Sequence, residues 1–271
     1  MHLPLVVEAR QLAAELNSEN LLILDLSAPE RYQQGHIPGA IPVPAAALLR
    51  GEGAVPNLIP TAEQLSTLFS AIGLTQERHV VVYDDQMGPL AGRMIWTLHS
   101  AGFHNCSMLD GQLPAWLAAG LPLEMQSNTP QPAPVEVHLS DERLADIPYI
   151  LAHLDSPDHI ILDVRSAEEF SGEKVINARK GGHIPGAVNY EWTRAMISPQ
   201  DWRLRPAEEI LSELEALGVT KDKTIITHCQ THRRSGLSYL FTKQLGFDKV
   251  RCYDGSWFEW GNQDDTPVES D

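Results

Sequence analysis

The residues of this chain with the clearest capacity for chemistry run consecutively as His228-Cys229-Gln230-Thr231-His232-Arg233-Arg234-Ser235-Gly236. A thiol attacks as thiolate, and nearby cations plus the first turn of a following helix lower its pKa. The apolar run Thr224-Ile225-Ile226-Thr227 before the cysteine reads as a strand. After it, Leu237, Leu240, Phe241 and Leu245 recur at helical spacing, and Gly246 is the stop. Strand, short loop and helix in that order turn successive backbone N–H groups inward, making an anion-binding nest around the sulfur. Cys229 is therefore a candidate nucleophile. Such a cradle serves attack on phosphorus in a phosphate ester, or attack on a sulfane sulfur to give a persulfide.

Arg234 and Arg233, with Gln230, Thr231, His232 and Ser235, are the candidate substrate-binding residues, because a guanidinium fork grips two oxyanion oxygens. Asp163 and Arg165 end the strand expected beside that of Cys229 and read as support for the loop. His228 lies on the strand, where alternation turns it to the opposite face, while His232 in the loop faces solvent or substrate. His36 and His183 belong to turns and read as structural hydrogen-bonding residues, with His36 also able to approach a cleft from the first half of the chain. Cys106 and Cys252 sit in equivalent strand-like segments and read as core thiols. No histidine stands at a metal-ligand spacing from a cysteine, so no metal is expected.

The elements around this loop occur twice. Leu22-Ile23-Leu24-Asp25 matches Ile160-Ile161-Leu162-Asp163, and His36-Ile37-Pro38-Gly39-Ala40 matches His183-Ile184-Pro185-Gly186-Ala187. A helix follows in each copy, the first opened by a Thr61–Gln64 capping box and the second by Pro206. Val80–Tyr83 then aligns with Thr224–Thr227, and a gapless register continues to Asp110-Gly111 against Asp254-Gly255. Short strands, apolar on both faces and alternating with helices, predict two similar α/β domains, each a parallel sheet with helices on both faces. The expected division is 1–125, a Pro-rich linker over 126–140, and 141–271. In this register Asp85 stands where Cys229 stands in the second copy, so the first domain is expected to be catalytically silent.

The chain has 271 residues, 43% of them apolar, enough to bury substantial cores. With 20 Lys+Arg against 36 Asp+Glu the formal charge is −16, which disfavours nucleic acid or an anionic membrane as partner and sets the Cys229 arginines apart. Three cysteines are too few and odd in number for a disulfide framework, and they suit a reducing compartment. No apolar run approaches bilayer length, and Met1-His2-Leu3-Pro4 lacks a secretory start, so a soluble, cytoplasmic protein is expected. A fused repeat supplies its own internal interface, so a monomer is expected too.

Together these residues resemble the rhodanese, or thiosulfate sulfurtransferase, family in its tandem-domain form, over nearly the whole chain. Tyr32-x(3)-His36-Ile37-Pro38-Gly39-Ala40 looks like the family's N-terminal signature, and Tyr253-Asp254-Gly255-Ser256-Trp257-Phe258-Glu259-Trp260 like its C-terminal one. The Cys229–Arg234 loop is closest to the Azotobacter-type bacterial subgroup, which has a second His where this chain has Arg233. Cysteine phosphatases place five residues between Cys and Arg to wrap a phosphate; the four here make a tighter cradle, suited to one extra sulfur.

The resemblance implies that Cys229 takes the outer sulfur of thiosulfate, releases sulfite, and passes the sulfur to cyanide or a thiol, with no cofactor. It also implies a basic substrate contact upstream of the second His-Ile-Pro-Gly turn, for which Lys174, Arg179 and Lys180 are the candidates. The alternatives are a phosphatase or arsenate-type oxyanion enzyme of the same fold, and a non-catalytic persulfide carrier.

Overall fold

The computed structural model of the chain describes residues 3–270; Met1 and His2, read above for a secretory start, lie outside them, as does Asp271. The first half runs β1 (Val6–Val7), α1 (Ala9–Ala14), β2 (Leu21–Asp25), α2 (Pro29–Gln33), β3 (Ile41–Pro42), α3 (Ala62–Ala71), β4 (His79–Tyr83), α4 (Pro89–Ser100), β5 (Cys106–Leu109) and α5 (Gln112–Ala118). The second half runs α6 (Ile147–His153), β6 (His159–Asp163), α7 (Ala167–Ser171), β7 (Val188–Asn189), β8 (Met196–Ser198), β9 (Asp201–Leu204), α8 (Ala207–Ala216), β10 (Thr224–His228), α9 (Arg234–Gln244), β11 (Val250–Cys252) and α10 (Ser256–Trp260).

Among the described residues the halves form parallel sheets of order β1-β5-β4-β2-β3 and β11-β10-β6-β7. In the second sheet the counterpart of β1 is reduced to one parallel bridge between Leu144 and Cys252. The central strands β4 and β10 are buried on both faces, as their β-branched runs require. The Thr61–Gln64 capping box forms as read, and Gly73, Gly218 and Gly246 end helices in the left-handed region. The Pro-rich stretch is strapped down: Ala133 donates to Ser70 O, Val137 to Ser66 Oγ, and Val137 is buried. An antiparallel hairpin, β8–β9, has no counterpart strands among the described residues of the first half.

Helices α4 and α9 bring the halves together. They cross at Gly92 and Gly236, where an added Cβ would lie 2.4 Å from Leu237 N and 2.5 Å from Arg93 N respectively. Only glycine permits that approach. One apolar core passes through the crossing and holds Trp96, Met94, Leu237, Phe241 and Cys229 together. The repeated Asp-Gly pairs stitch each half to the other: Asp110 Oδ1 accepts from Leu204 N at 2.9 Å, and Asp254 Oδ2 accepts from Ile59 N at 2.6 Å.

The gapless register does not hold in the central strand. Asp25 pairs with Tyr83 and Asp163 with His228, so Tyr83 matches His228 and the residue at the position of Cys229 is Asp84, not Asp85. Pairing with β2 and β6 sets the strand register, while the glycine crossing sets the helix register. The first half carries one more residue between the two. Asp84 lies fully buried, its carboxyl accepting from Gln86, Gly88, Leu90 and Ala91 N–H at 2.8–3.0 Å. The side chain of Asp85 instead accepts from Ala28 N at 3.2 Å.

Candidate active site

Cys229 follows the last residue of β10, and residues 230–233 carry the chain into α9. Its Sγ is almost wholly buried and accepts from Ser235 Oγ at 3.5 Å, a sulfur-length hydrogen bond, with the amides of Thr231 and Ser235 also directed at it. Burial alone pushes this thiol up. Arg234, the Ser235 hydroxyl and the two amides outweigh it and hold the thiol below its ordinary value. The core thiols behave oppositely: burial pushes Cys106 up to about 12 and Cys252 well above the ordinary value. Position, not residue type, selects the nucleophile.

Arg234 opens α9 and is clamped by Glu169, with Nη1 to Oε2 at 2.7 Å and Nη2 to Oε1 at 2.9 Å. Glu169 is itself fixed by the capping box of α7, where Ser166 and Glu169 bond reciprocally. The sequence reading missed Glu169, although Ser166-x-x-Glu169 after Asp163-x-Arg165 is a capping signature. The clamp uses two of the five guanidinium donors and places a fixed positive charge beside the thiolate.

Asp163 ends β6 opposite His228, and Arg165 follows two residues on. Arg165 Nε and Nη2 grip both Asp163 oxygens at 2.5–3.0 Å, and its guanidinium lies 4.4 Å from the Trp257 ring centroid. His228 Nε2 approaches Asp163 Oδ2 at 3.5 Å while its Nδ1 is 3.2 Å from Cys229 O. Burial first, with Arg165 and Arg234, keeps His228 below its ordinary value despite that carboxylate, so it is a neutral brace.

His232 does not face solvent: it is fully buried, adopts φ +55°, and meets the Trp96 ring edge-on at 4.3 Å. Gln230 turns to the segment before the second Pro-Gly turn, its Nε2 donating to Ile176 O at 2.5 Å. Arg233 is exposed and forms the N-cap of α9.

Of the upstream cations, Lys174 is exposed. Arg179 bonds to Asn262 and pairs with Asp264, and Lys180 Nζ donates to the carbonyls of Asp264 and Thr266. The two tie the C-terminal segment down, so the structure does not gather them onto Cys229. His36 Nδ1 bonds to Tyr32 O at 2.9 Å with the rings stacked, and His183 Nδ1 bonds to Phe170 O at 3.0 Å in the same way.

A duplicated parallel α/β fold that holds a cysteine below its ordinary pKa on a strand–loop–helix nest defines a class of proteins built around a thiolate. The sequence pattern of the Rhodanese-like domain matches residues 8–119 and 147–263, and the chain belongs to that family. It is 48% identical over 267 residues to the thiosulfate sulfurtransferase of Azotobacter vinelandii, covering 98% of this chain and 97% of that one. It is 44% identical to that of Pseudomonas aeruginosa over the same shares. The solved structure of SseA from Escherichia coli, a 3-mercaptopyruvate sulfotransferase of "Rhodanese" fold, superposes with a TM-score of 0.84 at 27% identity, covering 94% of this chain and 99% of that one.

Proposed function

We propose that the chain moves the sulfane sulfur of thiosulfate through Cys229 to cyanide or a thiol. The Cys229 thiolate attacks the outer sulfur, the S–S bond of thiosulfate breaks with its electron pair, and sulfite leaves. The enzyme then holds Cys229–S–S⁻. Cyanide, or a thiolate, attacks the terminal sulfur and returns Cys229 as thiolate, so no net redox equivalent is needed. The observation that carries this reading is the buried Sγ at the head of α9, with Ser235 Oγ 3.5 Å away and Arg234 clamped beside it. Amide donors that hold a thiolate hold a persulfide anion equally well.

Arg234 neutralises the incoming dianion and the departing sulfite. Exposed Arg233 steers the donor toward the loop in an otherwise acidic protein. Gln230, Thr231, His232 and Ser235 shape the cradle, with Ser235 and the Thr231 amide touching sulfur. Asp163 and Arg165 brace the strand. Residues 1–125 form a silent domain, because the Asp84 carboxylate cannot accept and release sulfur; 126–140 link it to the catalytic domain, 141–271. The four-residue spacing between Cys229 and Arg234 disfavours the phosphatase alternative.

The test is intact mass after incubation with thiosulfate. Wild type gains one sulfur that cyanide removes, and Cys229→Ser gains none. Hydrolysis of a phosphate ester without sulfur gain overturns the reading. A persulfide that forms but is discharged only by a partner protein assigns the chain as a carrier.

A further inference from the structure

The silent half reaches the nucleophile's loop through α4. Arg93, fully buried, spreads its fork over three carbonyls: Nε to Leu48 O at 2.9 Å, Nη2 to Asn57 O at 2.7 Å and Nη1 to His232 O at 3.0 Å. Two of these acceptors belong to the first half, and the third is inside the Cys229 loop. One turn on, Trp96 packs edge-to-face with the His232 ring at 4.3 Å, its own Nε1 donating to Arg143 O at 3.1 Å. His232 holds a left-handed φ of +55° without being glycine, a conformation that persists only where its surroundings impose it. Arg93 imposes it on the carbonyl and Trp96 on the ring.

The side chain of His232 then meets Ser235. Nδ1 lies 2.6 Å from Ser235 Oγ, and Ser235 Oγ lies 3.5 Å from Cys229 Sγ. A serine hydroxyl has one hydrogen. If Nδ1 is the donor, the hydroxyl's only hydrogen is free for the sulfur; if Nδ1 is the acceptor, the hydroxyl turns away from it. Burial, then Arg93, keep His232 well below its ordinary value, so it carries a single ring hydrogen. Its Nε2 is buried with no hydrogen-bond partner among the described residues, so Nδ1 makes the ring's hydrogen bond, and the tautomer with hydrogen on Nδ1 is the one that frees the Ser235 hydroxyl for sulfur.

We propose that Arg93 and Trp96 are positioning residues for sulfur transfer: contributed by the half that lacks a nucleophile, they lock His232 with Nδ1–H on Ser235, which aims the Ser235 hydrogen at Cys229 Sγ. This rests on the sulfurtransferase reading of the site and explains why a half without a nucleophile remains fused to the one that has it. The Ser235 bond is strongest while Sγ carries negative charge, as thiolate before attack and again as the acceptor takes the outer sulfur away.

The charged or titratable groups about Cys229 are Arg234 on α9, His228, Asp163 and Arg165 at the strand ends, Arg93 on α4, and Cys252 and Asp254 at the end of β11. Direct attraction of Arg93 for the thiolate is thus the rival explanation. Trp96→Phe separates the two, since it leaves the Arg93 charge in place, while Arg93→Lys loses the three-carbonyl fork.

The experiment is the pH dependence of iodoacetamide alkylation, read at the Cys229 peptide by mass in the full chain. Ser235→Ala is expected to raise the midpoint by about one unit, a tenfold loss of thiolate at a fixed pH below it. Arg93→Lys and Trp96→Phe are expected to raise it by roughly half a unit or more, and neither is expected to add to Ser235→Ala in the double variant. Circular dichroism confirms that each variant is folded. Midpoints unmoved in folded Arg93→Lys and Trp96→Phe, or shifts that add fully to that of Ser235→Ala, overturn the proposal. Alkylation uses no sulfur donor, so a wild-type protein that gains no sulfur from thiosulfate refutes the sulfurtransferase reading separately.

Discussion

Glu169→Gln tests the clamp on Arg234 with the least change of shape. The carboxylate is 4% exposed, the guanidinium 23%, and two bonds of 2.7 and 2.9 Å join them. Breaking a wholly buried ion pair costs about 3–5 kcal/mol. Glutamine keeps one acceptor and water reaches Arg234, so the expected loss is smaller, about 2 kcal/mol. For a chain of this size that lowers the melting midpoint by roughly 4 °C at pH 7.

The pH dependence gives the sign. Burial raises the Glu169 pKa, but the Arg234 hydrogen bond and charge outweigh it and hold the group below its ordinary value of 4.5. A carboxylate depressed in the folded state contributes stability that is present above its unfolded pKa and lost as pH falls through the folded one. The gap between wild type and Glu169→Gln should therefore hold from pH 7 to about 5 and close below 4.5. Arg234, released from its fork, should also lower kcat/KM for thiosulfate about tenfold, the equivalent of one well-placed charged hydrogen bond. Equal stability at pH 7, or a gap that is the same at pH 7 and at acid pH, would refute the argument.

Iodoacetamide at neutral pH should label Cys229 and spare Cys106 and Cys252, since only the first thiol is held below its ordinary value; peptide mapping that finds either core thiol modified first in the native protein contradicts this. Gly92→Ala places a Cβ 2.4 Å from Leu237 N and should destabilise by about 3 kcal/mol or more, because backbone cannot yield as a side-chain tip does; thermal denaturation measures it. Asp84→Ala removes the acceptor of four amides, three of them in buried bonds, and should cost about 3 kcal/mol in urea unfolding, while the folded protein keeps most of its sulfur transfer. A collapse of turnover in folded Asp84→Ala would show that the first half is not silent.

Much of the fold was legible because its signals are local. The short β-branched Val80–Val82 and Ile225–Ile226 runs favour buried strands, and Thr61–Gln64 is a helix-start signature. The candidate nucleophile was legible for the same reason: Cys229, the nest after it and Arg234 lie within one strand–loop–helix. The slip from Asp84 to Asp85 arose where two constraints meet. Strand register follows pairing with a neighbour far along the chain, helix register follows a crossing in the other half, and a gapless comparison assumes they agree.

The amino-acid order by itself determined the duplication, the α/β plan, and the one loop whose thiol can act, because periodicity, capping and nest formation are short-range. Tertiary structure alone decided what holds that loop. Glu169 reaches Arg234 across 65 residues, and Arg93 reaches His232 across 139, distances over which no spacing rule operates. It also tied Arg179 and Lys180 to the C-terminal segment. Chemistry that a short string can hold is visible in the string; the long-range contacts that fix its protons and charges exist only once the two halves have packed.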